Sequence, residues 1–513
     1  MSAATESIEA NINQPRPITA KTDMVSQRPF DYAHAHKWAP NADCNDLESM
    51  FPQHADVLSQ EKLWELYEKE LGEWMAKLSK SKEMNELGSR SMPFGVFGTY
   101  QKDWLTPILP YAKRAMGNKV WDVDGNEYLD FNFGDTPDMY GHGPVNPAIA
   151  AVAKRLLEDG IDSMMCNEDA IVTSQLLTEK FGLTHWMHCM TASDANRYVI
   201  AQARHVTGRK NIAIPNMVYH GTLEETQKYM PEPGVISRYH DLDIYSSPVE
   251  NGTKIFHWND LDSLEEILAD RSVAVLIMEP VLSNFGWAWP KAGWHEGVRK
   301  LCDKYGTLLC YDETHTLGTS PAGMVGKLGL KGDFWTCGKA ISSGIPGAVF
   351  GMTEEIAKKI TEDHNAVGHL SGAGLGFLGN ALSGNTMSTL GLRVTLEEVF
   401  TDEVFAKIYD NAEYMKKGME RSIDKYNAPF RIETMGNRLC YHFLPDKCYD
   451  PIAGLVQIGF GGLFEFSHAY LWNHGILIMP YFNMLILAPE HTHEDTDNFL
   501  KVWDEIVAIT MGK

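Results

Sequence analysis

Residues 292–313, "AGWHEGVRKLCDKYGTLLCYDE", change periodicity part-way along. As far as Tyr305 the pattern is that of an amphipathic helix. Gly306 interrupts it, and "TLLCY" then forms a short apolar run of strand type that ends on Asp312 and Glu313. Two similar runs lie upstream, "RKNIAI" at 209–214 and "SVAVLIMEPV" at 272–281, with helical patterns between them. The alternation, which extends from about residue 150 to about 350, predicts an α/β architecture with right-handed crossovers and a mostly parallel sheet. Ligands of such sheets gather beyond the carboxyl ends of the strands, which is where Asp312 falls.

Bulk properties narrow the function. The chain has 513 residues, with 45 Lys and Arg against 68 Asp and Glu, a formal charge of -23. A surplus of that sign argues against nucleic acid or an anionic membrane as a partner. Eight cysteines are scattered from Cys44 to Cys448 with no C-x-x-C pair, so neither a metal site nor a disulfide framework is expected. The opening "MSAATESIEANINQPRPITAKTD" has no basic region followed by an apolar core, and no stretch has the uncharged length of a membrane span. A soluble enzyme of the cytoplasm is the expectation.

Outside the central alternation, residues 1 to about 55 read as a tail or wrapped arm. Leu63, Tyr67, Leu71, Trp74 and Leu78 then form one stripe at helical spacing, which predicts a docking helix. "NKVWDVDGNEYLDF" predicts a hairpin turning at Asp124 and Gly125. A helical stretch near 386–425, the strand-like "NRLCYHFL" and "MLILA", and the helix "HEDTDNFLKVWDEIVAIT" predict a second, smaller α+β unit.

Four segments carry residues suited to chemistry. In "DFWTCGKAISSGIPGAVFG" (333–351), Lys339 has no acidic neighbour between Asp333 and Gly351. It is either a solvated loop lysine or a desolvated amine able to form a Schiff base with a carbonyl. Asp312 either caps the next helix or holds a proton on a ring nitrogen. In "TASDAN", Thr191 and Asp194 have capping spacing, and the helix amino end with the hydroxyls of Thr191 and Ser193 suits a phosphate. Tyr219 and His220 follow a strand, with Gly221 permitting close approach, and an aromatic face there suits a flat heterocycle. Pyridoxal phosphate would use all four.

The motifs "VWDVDGNEYLDF", "YGHGPVNP", "TASDAN", "YHG", "MEPV", "YDETHT", "GKAISSGIPGAVFG" and "LSGN", in that order, resemble the class III aminotransferases, which are fold-type I pyridoxal-phosphate enzymes. The branch containing glutamate-1-semialdehyde aminomutase and the β-amino-acid aminotransferases is the most similar. The resemblance covers roughly residues 110–505 and implies a mostly parallel large domain with a smaller α+β domain drawn from both chain ends. The implied division is an extension with the docking helix (1–90), the first part of the small domain (91–150), the large cofactor-binding domain (151–390) and the rest of the small domain (391–513).

By the same resemblance, Lys339 is the Schiff-base lysine and Asp312 the partner of the pyridine nitrogen. Thr191, Ala192 and Ser193 form the phosphate loop, with Ala192 in place of a glycine and Met190 in place of an asparagine. Tyr219 stacks on the ring, and His220 belongs to the same motif. Ala381 stands where a threonine usually reaches the neighbouring subunit's phosphate; Ser383 or Asn385 is the expected substitute. His315 replaces a methionine. Arg90 matches an arginine that receives a substrate carboxylate, and as a residue of this sequence it is equally readable as a surface arginine. Asp135 falls where relatives have an aromatic residue lining the substrate pocket, and Tyr481 stands near the position where a β-amino-acid relative has a second carboxylate-binding arginine.

The implied reaction is transfer of an amino group from a primary amine or amino acid to a keto acid, by a transaminase that forms a homodimer. Two alternatives stay open: a mutase, epimerase or lyase acting on one amino substrate, and a binding or scaffold protein without cofactor.

Overall fold

The computed structural model describes residues 57–98, 101, 106–232, 235–238, 252–284, 286–367, 378–451, 454, 462–480 and 482–513. The amino-terminal arm expected over 1–55 and Tyr481 lie outside the described residues.

Seven strands form the main sheet: β1 (His185–Cys189), β2 (Asn211–Pro215), β3 (Thr253–Phe256), β4 (Val273–Met278), β5 (Leu308–Asp312), β6 (Phe334–Cys337) and β7 (Ala348–Met352). Their order across the sheet is β3-β2-β4-β5-β6-β7-β1. The strands from β3 to β6 in that order run parallel, and β7 is antiparallel to both its neighbours. The central strands are covered on both faces, which is why "VAVLIM" of β4 is buried at all six positions and shows no alternation. The helix Ala192–Thr207 leaves β1 directly and lies across β4, β6 and β7, and Trp294–Tyr305 precedes β5. The central alternation therefore folds as its periodicity predicts.

Three smaller sheets accompany this layer among the described residues, one of them the two-stranded pair Lys228–Glu232 and Val235–Arg238. Another holds Ala112–Met116, Lys119–Asp122 and Glu127–Asp130, with the expected turn at Asp124 and Gly125, and gains a parallel fourth strand from Ile476–Leu477. The third holds Arg431–Met435, Arg438–His442 and Met484–Ile486. The helix Gln60–Met75 buries the stripe Leu63, Tyr67, Leu71 and Trp74 against the helix Leu463–Asn473, with the Trp74 and Trp472 rings 5.2 Å apart.

One expectation needs correction: the helical stretch near 386–425 is not continuous. The helix Thr386–Val394 runs into a π-helical turn at Thr395–Val399 and stops at Phe400, whose ψ of 57° leaves the helical region. Thr401 caps a new helix, Asp402–Tyr426, by accepting a hydrogen bond from Val404 N. The hydroxyl of Thr395 donates to the Gly391 carbonyl, a local competitor for the helical ladder.

Candidate active site

Asp312 is the last residue of β5, where backbone pairing gives out. Its carboxylate is 3 % exposed. Oδ1 accepts from Thr314 N at 3.0 Å, and Oδ2 accepts from Asn196 Nδ2 at 2.8 Å and faces His220 Nδ1 at 3.0 Å. Burial opposes the charge, but the bond and field of His220 with the other donors hold the carboxyl down at about 2. Asn196 is itself fixed: it donates to the His220 carbonyl at 3.0 Å and accepts from Thr336 Oγ1 at 2.8 Å. Asp312 is thus an anchored anion throughout the neutral range. The buried Nε2 of His220 has no partner among the described residues.

The helix Ala192–Thr207 begins as its capping pattern predicts, with Thr191 Oγ1 accepting from Asp194 N at 3.1 Å. The backbone N–H groups of Ala192 and Ser193 are left without an acceptor among the described residues, the condition that favours an anion at a helix amino end. Two loops close on this terminus. Ser193 Oγ accepts from Thr222 N at 3.1 Å, and a Cβ at Gly221 (φ +95°) would lie 2.2 Å from that oxygen. A Cβ at Gly338 would come within 3.0 Å of Ala192 Cβ, so the residue before Lys339 rests on the same terminus. Tyr219 is half-buried beside them.

Lys339 opens a 3-10 turn with φ +50°, a backbone conformation that side chains seldom adopt. It is half-buried and is neither a solvated loop lysine nor a bare amine. Its Nζ forms an ion pair with Asp135 and meets His315 Nε2 at 2.5 Å. The acid missing from its own stretch of sequence is supplied by Asp135, which is also at positive φ (+59°), as is Thr136 (+102°). Asp130 secures the start of this loop by accepting from Asn132 N at 2.7 Å and Phe133 N at 3.0 Å. On its other side Asp135 faces Arg438 at 3.7 Å, and Arg438, 1 % exposed, also donates to Thr136 Oγ1.

Burial alone would raise the Asp135 carboxyl, yet the charge of Lys339, the contact with His315 and the charge of Arg438 hold it well below the usual carboxylate range. Burial, reinforced by the Lys339 charge, lowers His315 to about 4, so its imidazole is neutral near pH 7. Behind it, Ser283 Oγ lies 2.8 Å from His315 Nδ1 and donates to Glu279 Oε2 at 2.5 Å. Burial pushes Glu279 up to about 7.

Lys339, Asp312, Thr191, Ala192, Ser193, Tyr219, His220 and Asp135 are therefore linked through neighbouring segments. Arg90 and Ser383 are joined to this cluster by no hydrogen bond or ion pair. Arg90 follows the helix Ser79–Gly88, is exposed and makes no side-chain ion pair among the described residues. Ser383 Oγ accepts from Asn380 N at 2.9 Å, and Asn385 caps the helix Thr386–Val394 through Ser388 N at 3.0 Å.

Sequence reasoning passed over Asn196, Glu279, Ser283 and Arg438. Arg438 carried a signal, a cation inside the apolar strand pattern "NRLCYHF", since arginine is almost never fully buried unless paired. Glu279 carried a weaker one, standing just past the buried run of β4.

The family model "Aminotransferase class-III" matches residues 100–500. Glutamate-1-semialdehyde 2,1-aminomutase of Anaeromyxobacter dehalogenans is 27 % identical over 402 residues, 75 % of this chain and 87 % of that protein. The protein of the same name from Acetivibrio thermocellus is 26 % identical over 83 % of this chain and 96 % of its own length. Among solved structures, a glutamate-1-semialdehyde aminomutase from Pseudomonas aeruginosa superposes with a TM-score of 0.83 at 28 % identity, covering 88 % of this chain and 99 % of that one; a variant of it was solved in complex with PMP. A β-phenylalanine aminotransferase from Variovorax paradoxus shares the fold, with a TM-score of 0.75 at 20 % identity over 87 % of this chain and 97 % of its own.

Proposed function

The chain belongs to the class III aminotransferase family of fold-type I pyridoxal-phosphate enzymes, and on that premise we propose that it moves an amino group from a primary amine or amino acid to a keto acid. The observation that carries the reading is the Lys339 amine, held against Asp135 and His315 on the turn after β6, the strand that pairs with the one ending in Asp312.

The residues present fit the cofactor. An anchored anion, unsatisfied N–H groups at a helix amino end, an unpartnered imidazole nitrogen and an amine meet around the ends of β2, β5 and β6. Asp312 would keep the ring nitrogen protonated, Thr191, Ala192 and Ser193 would receive the phosphate, Tyr219 and His220 would flank the ring, and Lys339 would hold the aldehyde carbon. When bound, pyridoxal phosphate supplies a carbonyl that joins primary amines and a ring that takes up the electron pair left by proton removal. Lys339, with its amine free, would act as base and acid at the substrate carbon. Asp135, whose lysine partner gives up its charge in acting as a base, would then be free to receive a cationic or hydroxyl-bearing group of the substrate. Arg438 is better situated than Arg90 to face a substrate carboxylate on this subunit.

A second reading is favoured by the names of the relatives covering most of the chain: an amine migration within one substrate, with no acceptor. Incubation with a panel of amines, with and without pyruvate or 2-oxoglutarate, separates the two. Keto-acid-dependent turnover is the expected result; turnover without any acceptor would favour the migration, and no turnover in either arm with a reducible B6 label on Lys339 would discard the transfer.

We also propose a cytoplasmic homodimer. Leu157, Met164 and Met165 are 88, 81 and 75 % exposed on one segment, and the Asp162 carbonyl within it accepts from Thr386 N at 3.2 Å, beside exposed Leu382. An apolar surface of this kind needs cover. Light scattering at the mass of one chain would remove the proposal.

A further inference from the structure

His315 is the side chain that joins Lys339 to the buried interior behind it. Four side chains follow one another without a gap: Lys339 Nζ to His315 Nε2 at 2.5 Å, His315 Nδ1 to Ser283 Oγ at 2.8 Å, and Ser283 Oγ to Glu279 Oε2 at 2.5 Å. The three beyond the lysine are buried, with Ser283 and Glu279 at 1 and 3 % exposure. The other Glu279 oxygen is occupied by Ser283 N at 3.4 Å and Asn284 Nδ2 at 3.5 Å, so the carboxyl is aimed along the chain of bonds.

We infer that Glu279, Ser283 and His315 form a proton relay for Lys339, which receives the proton the lysine must shed to act as a base and returns it when the lysine must act as an acid. The inference rests on the amine chemistry of Lys339 proposed above.

The transfer balances without an outside reactant. A Lys339 ammonium N–H bond breaks and the proton bonds to His315 Nε2; the Nδ1 proton passes to Ser283 Oγ; the Ser283 hydroxyl proton passes to Glu279 Oε2. The result is a neutral amine, a neutral imidazole in its other tautomer, an intact hydroxyl and a protonated carboxyl. The reverse sequence restores the start. Each intermediate partner can both donate and accept.

The surrounding charges favour this route. Lys339 faces Asp135 as well as His315, and Asp135, depressed by Lys339, His315 and Arg438, is a poor proton acceptor. His315 faces Asp135, Arg438 and Lys339, and being held near 4 it passes protons on instead of storing them. Glu279, within the field of His220, Asp312 and Arg438, sits near 7, where a carboxyl both takes and gives up a proton.

The test uses the full-length chain as wild type, Ser283→Ala and Glu279→Gln, neither of which changes a side chain that touches Lys339. In chain freed of cofactor, trace acetylation of Lys339 is followed by peptide mass mapping between pH 5 and pH 10. The relay predicts an inflection near pH 7 in the wild-type labelling curve that both substitutions erase. In the loaded enzyme, each substitution should lower kcat about tenfold or more with KM unchanged. Superimposable labelling curves for the three proteins would overturn the relay whatever the activities. An inflection that vanishes in both variants, in a protein that transfers no amine, would keep the relay and discard the proposed reaction.

Discussion

Asp312 and Asp135 are both carboxylates at the site, and both are held below the ordinary carboxylate range, by different means. Asp312 is held chiefly by hydrogen bonds: Asn196, Thr314 and His220 approach from elements packed on one end of the main sheet, and Asn196 is locked in turn by Thr336. Asp135 is held by cations and an imidazole that come from distant parts of the chain, on a loop whose backbone is itself in an uncommon conformation. In the first arrangement the partners are tied to one another as well as to the carboxylate. The second includes a cation on a side-chain tip, the Lys339 amine, whose charge is given up in the proposed reaction. A fixed anion suits a permanent guest, and an exchangeable pair suits a passing one.

The largest effect expected is from Lys339→Ala, which removes the amine that the proposed reaction uses throughout: turnover should fall by about four orders of magnitude, measured as product released per unit time. A loss of less than tenfold would deny Lys339 its role. Asp312→Asn should cost about two orders of magnitude in kcat at pH 7, since a neutral amide cannot pair with a protonated ring nitrogen. Its stability should change less, because the amide oxygen still accepts from Thr314 N. Asp135→Asn should show the opposite balance. It strips the buried Arg438 of its counter-charge, and the chain should lose about 3 kcal/mol in urea unfolding. If the two asparagine variants lost stability equally, the contrast between anchored and exchangeable carboxylates would fail.

The smallest effect concerns pH. Asp312 and Asp135, depressed in the fold, contribute stability that is present above their ordinary value of 3.8 and is lost as pH falls below it. Glu313 behaves in the reverse sense. It is fully buried, accepts from Val325 N at 2.9 Å and Trp335 Nε1 at 2.8 Å, and is raised by burial to about 7. Between 4.5 and about 7 the folded chain therefore binds more protons than the unfolded one, and stability declines as pH rises. Glu313→Gln should flatten the decline of Tm over that window; an unchanged slope would show that Glu313 does not titrate there.

Much of the Asp312 side could be read from the sequence because its signals are local. The run ending at Asp312, the cap at Thr191 and the Tyr219, His220 and Gly221 triplet each sit at the end of a recognisable strand or start of a helix. The Lys339 side could not be read in the same way. Asp135 and Arg438 lie far from Lys339 along the chain, and only the packing of three loops and a strand of a different sheet brings them together. The break at Phe400 was also hidden, since an apolar residue at helical spacing gives no warning of a ψ outside the helical region. The visible clue was Thr401 followed by Asp402 and Glu403, the composition of a new helix start.

The strand Ile476–Leu477 completes a sheet whose other three members were made hundreds of residues before it, with Leu129 N donating to the Gly475 carbonyl and Phe131 N to that of Leu477. At common rates of translation the edge at Glu127–Asp130 emerges from the ribosome about half a minute ahead of its mate. Through that interval its unpaired backbone is open to strangers, including the same edge on a sister nascent chain. Yield in the cell should therefore be sensitive to polysome crowding and chaperone supply in a way that the finished enzyme's stability does not foretell.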